Sequence, residues 1–459
     1  MLLYRCLWYD LGDLHLPSSC SSVSPSPPPR PPRRGLLALG FASSLLTLGT
    51  FVSGCPGEET GSPTEDFDVT SVPQEDVRPS DDVTVVPSDA AAACDEHCAT
   101  DLGAAGSHAC VRTGTGKLLC WGSNSLMQAL GVAAPVKVTT PTEVPGIGNV
   151  LSFALGGFHT CAINAASEVW CWGFNQDGQL GSAAGSPGLP TKVVVSSISS
   201  KPVQVSAGLF HTCIRYQSGQ VACFGWNLMG QSGTGTVSGS QVTPMRSIPV
   251  VLGIGNVNDM VLGGSTSCVY VATGVQCFGS NIFGQLGRGT VLPEVDPKPG
   301  ALAGIDMGIK TFPSSQGSHF VVVLQNGSMR AWGSNQSGEL GTGSAGPDVV
   351  TPTSVTAATD VLSASAGANA TCVVMKDKTV RCFGRNNFFQ SGAENDGGMV
   401  VGPQKVVGLE NIAQISAGSN GACARTEAGQ VYCWGTNEYG LLANGTTTGR
   451  SGKPVRIAF

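Results

Sequence analysis

Residues 161–181 read CAINAASEVWCWGFNQDGQLG. Cys161 and Cys171 stand ten positions apart, and the second runs straight into Trp172-Gly173. Thiols so placed suit a metal, redox chemistry or a structural staple, and a single copy cannot choose among them. The chain carries seven copies. The element recurs as CWG at 120–122, CWG at 171–173, CFG at 223–225 and CFG at 277–279. It continues as AWG at 331–333, CFG at 382–384 and CWG at 433–435, in steps of 51, 52, 54, 54, 51 and 51 residues. A period that drifts by so little marks a repeat architecture.

Each unit offers strand signals in the same order. KPVQVSAG (201–208) is followed by HTCIRYQ (211–217), a short SGQ turn, VACFGWN (221–227) and then Gly230-Gln231-Ser232-Gly233 with a variable loop. Short β-rich runs bounded by Gly predict about four strands per unit. Seven four-stranded units close best as an all-β, seven-bladed propeller, which leaves only short protected edges. A solenoid would need polar caps at both ends, and none is evident.

Ring closure also leaves a trace. Units two to seven are each preceded by a Pro-Val type segment, such as TPTEV (140–144), LPTKV (189–193) and TPTSV (351–355). The first unit has only the CDEHCATDLG region before it, whereas the chain ends with an orphan copy, Gly452-Lys453-Pro454-Val455-Arg456-Ile457. This pattern predicts that the C-terminal strand completes the first blade and latches the ring.

With the motif CWGFNQDGQLG repeating every 51 or so residues, residues 100–459 resemble the regulator of chromosome condensation repeat family. The likeness rests on Trp/Phe-Gly, on Asn two residues later and on Gly-Gln-Leu-Gly. It is imperfect at Gln128-Ala129-Leu130-Gly131, Phe389-Gln390-Ser391-Gly392 and Gly440-Leu441-Leu442-Ala443. The resemblance implies a seven-bladed propeller and protein partners of many kinds, GTPases and, for a secreted relative, β-lactamases among them.

Six cysteine pairs share a near-constant spacing: Cys110 with Cys120, Cys161 with Cys171, Cys213 with Cys223, Cys268 with Cys277, Cys372 with Cys382, and Cys423 with Cys433. A turn lies midway in each, so a hairpin sets the two thiols opposite each other on neighbouring strands, where a disulfide fits. Unit five has Val321 and Ala331 at these places, as expected of a packing or stapling role. Converging C-x₂-C pairs for a metal are missing, as is a redox Cys-x-x-Cys at a helix start. Each bridge would close about eleven residues, worth roughly 2–3 kcal/mol. Cys94 and Cys98 are expected to pair locally around His97. Trp121, Trp172, Phe224, Phe278, Trp332, Phe383 and Trp434, one per unit, are expected to pack between blades.

Only 12% of residues are charged, against 63 Gly and 28 Pro, which argues against long solvated helices. The net charge of −6 is uneven: residues 56–98 hold twelve acids and one Arg, and residues 99–459 hold 17 acids and 20 bases. Such a weak balance gives no electrostatic case for nucleic acid, which wants a concentrated basic face.

Residues 30–55 read RPPRRGLLALGFASSLLTLGTFVSGC. Arginines at 30, 33 and 34 precede an apolar stretch from Gly35 to Phe51, and Val52-Ser53-Gly54-Cys55 resembles a bacterial lipobox. The stretch is short for a membrane span and ends in small residues. Residues 1–54 thus read as an N-terminal extension with a lipoprotein signal, and Cys55 as the lipidated residue. Residues 55–98 read as a disordered acidic tether, and residues 99–459 as the propeller. This places the protein in a bacterial cell envelope, facing periplasm or cell surface, with the lipid anchor as its membrane contact.

Other motifs carry little chemistry. His108, His159, His211 and His319 each lie two residues before a pair position, and are expected to serve as structural hydrogen-bonding groups. Gly341-Thr342-Gly343-Ser344-Ala345-Gly346 matches G-x-G-x-x-G but follows a turn and opens no helix, so it fails as a dinucleotide site. No catalytic residue, metal site or cofactor is expected. The reading is a monomeric, non-enzymatic scaffold that recognises a protein or surface polymer through variable loops, such as those at 234–245, 288–300 and 393–403. A guanine-nucleotide exchange factor-like regulator of a GTPase, a secreted enzyme inhibitor and a propeller hydrolase or lyase are the alternatives.

Overall fold

The computed structural model describes residues 97–459, apart from 134, 183–184, 238–245, 306–307, 313–315 and 395–397. Among these residues, strands alone make the regular structure, in seven antiparallel sheets of four. Blade one comprises Ala99–Ala105, His108–Thr113, Leu118–Ser123 and Lys137–Glu143 in that order across the sheet. The other blades follow at 150–193, 202–251, 259–301, 309–354, 361–405 and 412–457. No helix is long and apolar enough to cross a membrane among the described residues.

Burial falls from the second strand outward. His159–Asn164, the second strand of blade two, is buried at every residue. The fourth strand of blade one, Lys137–Glu143, is mostly exposed or half-buried. Proline sits in every fourth strand, for example Pro141, Pro352 and Pro454. There it blunts an edge whose backbone groups would otherwise recruit another chain.

The expected closure is wrong. The C-terminal strand, Arg450–Ile457, pairs with Val431–Thr436 and is the fourth strand of blade seven, not a member of blade one. The Pro-Val segments belong to the unit before them: Thr142 faces Cys120 and Val138 faces Gly122. After each loop the chain returns to the nearest open edge, that of the Cys-Trp-Gly strand, and does not cross to the next blade. The seventh copy is therefore no orphan, and the modest sequence at 99–105 supplies the first strand of blade one.

Blade one and blade seven meet through side chains and a few backbone bonds. Gln414 Nε2 donates to Asp101 Oδ1 (2.7 Å) and to Leu102 O (3.0 Å), while Arg425 Nε donates to Gln414 Oε1 (3.1 Å). The same Arg–Gln–Asp latch joins blades three and four through Arg215, Gln204 and Asp259. At the seam, Ser416 Oγ also accepts from Ala104 N (2.8 Å), and Ala99 N donates to Gly429 O (2.9 Å).

Antiparallel order fixes two faces. The first-to-second and third-to-fourth connections share one, the loop face; the tight second-to-third turns and both ends of the propeller lie on the other, the turn face. His97 Nδ1 lies 3.3 Å from Phe459 O, so the two ends meet there.

Candidate functional site

The recurring letters of the repeat build the interfaces between blades and the bases of the loops. All six expected cysteine pairs form disulfides, with Cα atoms 4.0–4.1 Å apart: Cys110 with Cys120, Cys161 with Cys171, Cys213 with Cys223, Cys268 with Cys277, Cys372 with Cys382, and Cys423 with Cys433. Val321 and Ala331 face each other in the same register and are as deeply buried. Each pair shares a hydrophobic cluster with the aromatic residue of the next blade. Cys161 and Cys171 pack with Phe224, Cys213 and Cys223 with Phe278, and Cys268 and Cys277 with Trp332. Val321 and Ala331 pack with Phe383, and Cys372 and Cys382 with Trp434. Cys98 is disulfide-bonded; Cys94, expected as its partner, and Cys55 lie outside the described residues. All seven aromatic residues of the series are fully buried.

The histidines have a defined task. His108 Nε2 meets Thr160 Oγ1 (2.9 Å), His159 meets Thr212 (2.8 Å), His211 meets Ser267 Oγ (2.9 Å) and His319 meets Thr371 (2.8 Å), always in the following blade. Each hydroxyl donates back to a carbonyl of the previous blade, at Gln128, Gln179, Gln231 and Glu339. The hydroxyl proton is thus committed, and the imidazole must donate from Nε2. Burial keeps these rings neutral, pushing His108 down to about 4 and His159, His211 and His319 to about 3.

A rule linking distant positions follows. Where the hydroxyl position is apolar, at Ala109, Phe320 and Ala422, the blade before it has Gly421, Thr266 or Ala370 in place of His. In those three interfaces the indole Nε1 of Trp121, Trp332 or Trp434 takes the carbonyl, at Leu441, Gln285 and Gln390 (2.8–3.1 Å). Interfaces that have the hydroxyl use Phe224, Phe278 or Phe383, which donate nothing. Trp172 is the exception: with Thr160 already on Gln128 O, its Nε1 reaches Ala129 O at 3.3 Å. Sequence reasoning assigned the aromatic series a packing role and missed this second one, although the Trp/Phe alternation against Ala/Thr was visible.

Asn and Gln of the motif hold the loop-face turns. Asn175 Oδ1 accepts from Leu180 N, and Gln179 Oε1 accepts from Asp177 N. Asn227, Asn281, Asn335 and Asn437 point Nδ2 at carbonyls of the variable loops, at Thr236, Thr290, Ser344 and Thr446. Blade five substitutes Glu339, buried, whose carboxylate accepts from Ser334 Oγ and Ser337 N; burial pushes its pKa up. The Gly after each aromatic adopts φ between +98° and +116°. A Cβ there would strike the preceding loop, for instance Phe210 O at 2.5 Å from Gly225. That approach lets the next residue donate back: Phe174 N to Phe158 O and Trp226 N to Phe210 O, both 2.9 Å.

The ring is drawn tight around its axis on the loop face. Gly264 N donates to Gly317 O (2.9 Å), and Leu209 N to Gly264 O (3.2 Å), between neighbouring blades. Gln316 of blade five donates from Nε2 to Leu155 O of blade two (3.1 Å), so its side chain spans the mouth of the channel. Among the described residues no group of three or more His, Cys, Asp or Glu converges to hold a metal.

One region of this face breaks the repeat. The loop positions matched by those backbone bonds hold Ser107 and Ser123 in blade one, Ser265 and Ser280 in blade four, and Ser318 and Ser334 in blade five. Blade six has Asn369 and Arg385, and blade seven Asn420 and Thr436. Blades two and three instead hold Phe158, Phe174, Phe210 and Trp226, all half-buried. Phe158 and Phe210 stack at 5.4 Å, while Phe174 and Trp226 pack edgewise on Phe210 at 6.0 Å. Leu209, Leu228 and Met229 lie half-buried in the same loops, and Val237 and Ile282 are exposed. A Phe before His and an aromatic after Gly were both present in the quoted stretch and its neighbours, but no sequence argument singled them out.

The model for the RCC1-like domain matches residues 150–459, and the model for the regulator of chromosome condensation (RCC1) repeat matches residues 115–163. The chain belongs to the RCC1-like family. Over 350 residues, 74% of the chain, it is 28% identical to the human E3 ubiquitin-protein ligase HERC2, of whose length it spans 7%. It is 24% identical to the guanine nucleotide exchange factor SRM1 of Saccharomyces cerevisiae, covering 74% of this chain and 82% of that one. In fold, this RCC1-like propeller is similar to Prp20p from Saccharomyces cerevisiae, with a TM-score of 0.66, 22% identity and 79% and 88% of the two chains covered. Prp20p was described together with its binding properties to Gsp1p and histones. Human WBSCR16 is similar at the same TM-score, with 19% identity and 75% and 94% coverage.

Proposed function

We propose that this RCC1-like chain is a non-enzymatic interaction module, exported and anchored through Cys55, whose loop face holds a protein partner. The aromatic patch on blades two and three carries this reading. The scaffold positions explain their residues through packing and hydrogen bonds within the ring, whereas four neighbouring aromatics in place of Ser, Asn, Thr and Arg add nothing the other blades need. Contiguous apolar surface of this kind marks interaction sites. The relatives lend support in kind, since Prp20p has binding properties to Gsp1p and histones.

The test is site-directed photo-cross-linking in the native cell. A photoreactive residue at Gln176, exposed on the loop face, should yield a discrete adduct, and one at Ala428, exposed on the turn face, should not. Equal labelling from both, or none from Gln176, defeats the reading. The likeness to SRM1 over most of its length favours a second reading, exchange-factor-like regulation of a GTPase. Export opposes it, and absence of protease sensitivity at the surface of intact cells would restore it.

A further inference from the structure

Resting on the loop-face reading, we propose that Phe174, Trp226 and Arg385 are its contact residues, and that the occupant is a protein lying across the mouth of the channel. It sets apolar side chains on the two rings and a carbonyl or carboxylate oxygen on the guanidinium.

These three residues deny the scaffold a hydrogen bond. In blades one and four the residue after the aromatic-Gly pair is Ser. Gln128 Nε2 donates to Ser123 Oγ (2.8 Å) and Gln285 Nε2 to Ser280 Oγ (3.3 Å). Blade five keeps the bond in reverse, with Ser334 Oγ donating to Glu339 Oε1 (2.7 Å). Blade seven has Leu441 in place of the Gln, and so has no amide to satisfy. Blades two, three and six carry Phe174, Trp226 and Arg385 at the serine position. In these three blades Gln179, Gln231 and Gln390 leave Nε2 buried with no acceptor, on side chains at most 2% exposed.

A buried donor without an acceptor costs free energy. An aromatic ring is at most a weak acceptor, and a guanidinium accepts nothing. Serine would remove that cost at each place, and three other blades already carry it. Breaking one local rule in three loops, at the same position each time, marks residues kept for work outside the fold.

Their kind and place suit a protein. Aromatic residues and Arg dominate protein interfaces. Phe174, Trp226 and Arg385 are all half-buried, and among the described residues the Arg385 guanidinium makes no hydrogen bond or ion pair. Gln316 of blade five reaches Leu155 O of blade two across the mouth. Loops of opposite blades are thus close enough for one partner to touch all three residues.

The test compares serine with alanine in the full-length oxidised protein. Both remove the ring's contacts, and serine alone offers Gln179 an acceptor. Phe174→Ser should therefore unfold at a higher urea concentration than Phe174→Ala, and the gap should close when Gln179→Leu, which copies Leu441, is added. Trp226 with Gln231 and Arg385 with Gln390 should behave alike. In the native cell, Phe174→Ser/Trp226→Ser/Arg385→Ser should cut the Gln176 adduct at least about tenfold. Ser280→Ala, at the same loop position in blade four, should leave it. Equal midpoints for serine and alanine would overturn the proposal, as would an adduct lost equally in Ser280→Ala. Binding of chitin or laminarin oligosaccharides that is lost in the triple-serine variant would assign the residues to another occupant and overturn it too. An adduct that persists in the triple-serine variant overturns it while leaving the loop-face reading intact; no adduct from the unsubstituted ring defeats that reading itself.

Discussion

Thr212→Ala should show what an inter-blade hydroxyl is worth. In the native interface Thr212 Oγ1 accepts from His159 Nε2 (2.8 Å) and donates to Gln179 O (2.9 Å), with all three residues buried. Truncation strands one donor and one acceptor, each costing about 1–3 kcal/mol. A loss of about 3–4 kcal/mol is expected, read as a fall in the urea midpoint at neutral pH with the disulfides intact. The other interfaces supply the repair. Adding Phe224→Trp should give Gln179 O an indole donor, as Trp434 gives Gln390 O, and recover about half the loss. Adding His159→Ala as well reproduces the set of Ala370, Ala422 and Trp434 in blades six and seven, and should approach wild type. If Thr212→Ala costs under about 0.5 kcal/mol, or the triple variant is no better than the single one, the donor-exchange rule is wrong.

Acid should weaken the ring through its histidines. Their folded pKa values, about 3 to 4, lie below the unfolded value of about 6.5, so the unfolded chain binds more protons and stability falls as pH drops from about 6.5 towards 4. At about pH 5 each ring contributes a loss of about 2 kcal/mol, and the His159→Ala/Thr212→Ala/Phe224→Trp variant should show a shallower decline in midpoint. Val321→Cys/Ala331→Cys should form a seventh hairpin bridge, one in every blade, seen as one further oxidised pair by intact mass, and should add about 3 kcal/mol. Glu339→Gln should raise the midpoint at neutral pH, because burial disfavours the carboxylate, and the gain should shrink on acidification. Gln414→Ala should lower the midpoint more than a substitution at exposed Ala428, since it breaks a latch that closes the ring.

Periodicity alone was enough to establish blade number, strand count and cysteine pairing, because each depends on spacing within one hairpin. Cys161 and Cys171 flank a turn, so antiparallel pairing sets them opposite each other whatever surrounds them, and the same holds for Cys213 with Cys223 and Cys372 with Cys382. The phase of the repeat was not legible. A Pro-Val strand lies between two Cys-Trp-Gly elements in sequence, and only hydrogen-bond pairing assigns it to the earlier blade. Val455 and Cys433 belong together for that reason, and the first blade needs no help from the C-terminus. The His–Thr–carbonyl chains and the Trp substitutes for them were equally hidden, since their members lie more than thirty residues apart. The aromatic patch is the clearest case. Phe158, Phe174, Phe210 and Trp226 are ordinary letters in two separate units. They become one surface because neighbouring blades bring matched loop positions side by side. Sequence determined the unit; tertiary structure decided what the units share, because inter-blade contacts depend on the packing of whole sheets and not on chain spacing.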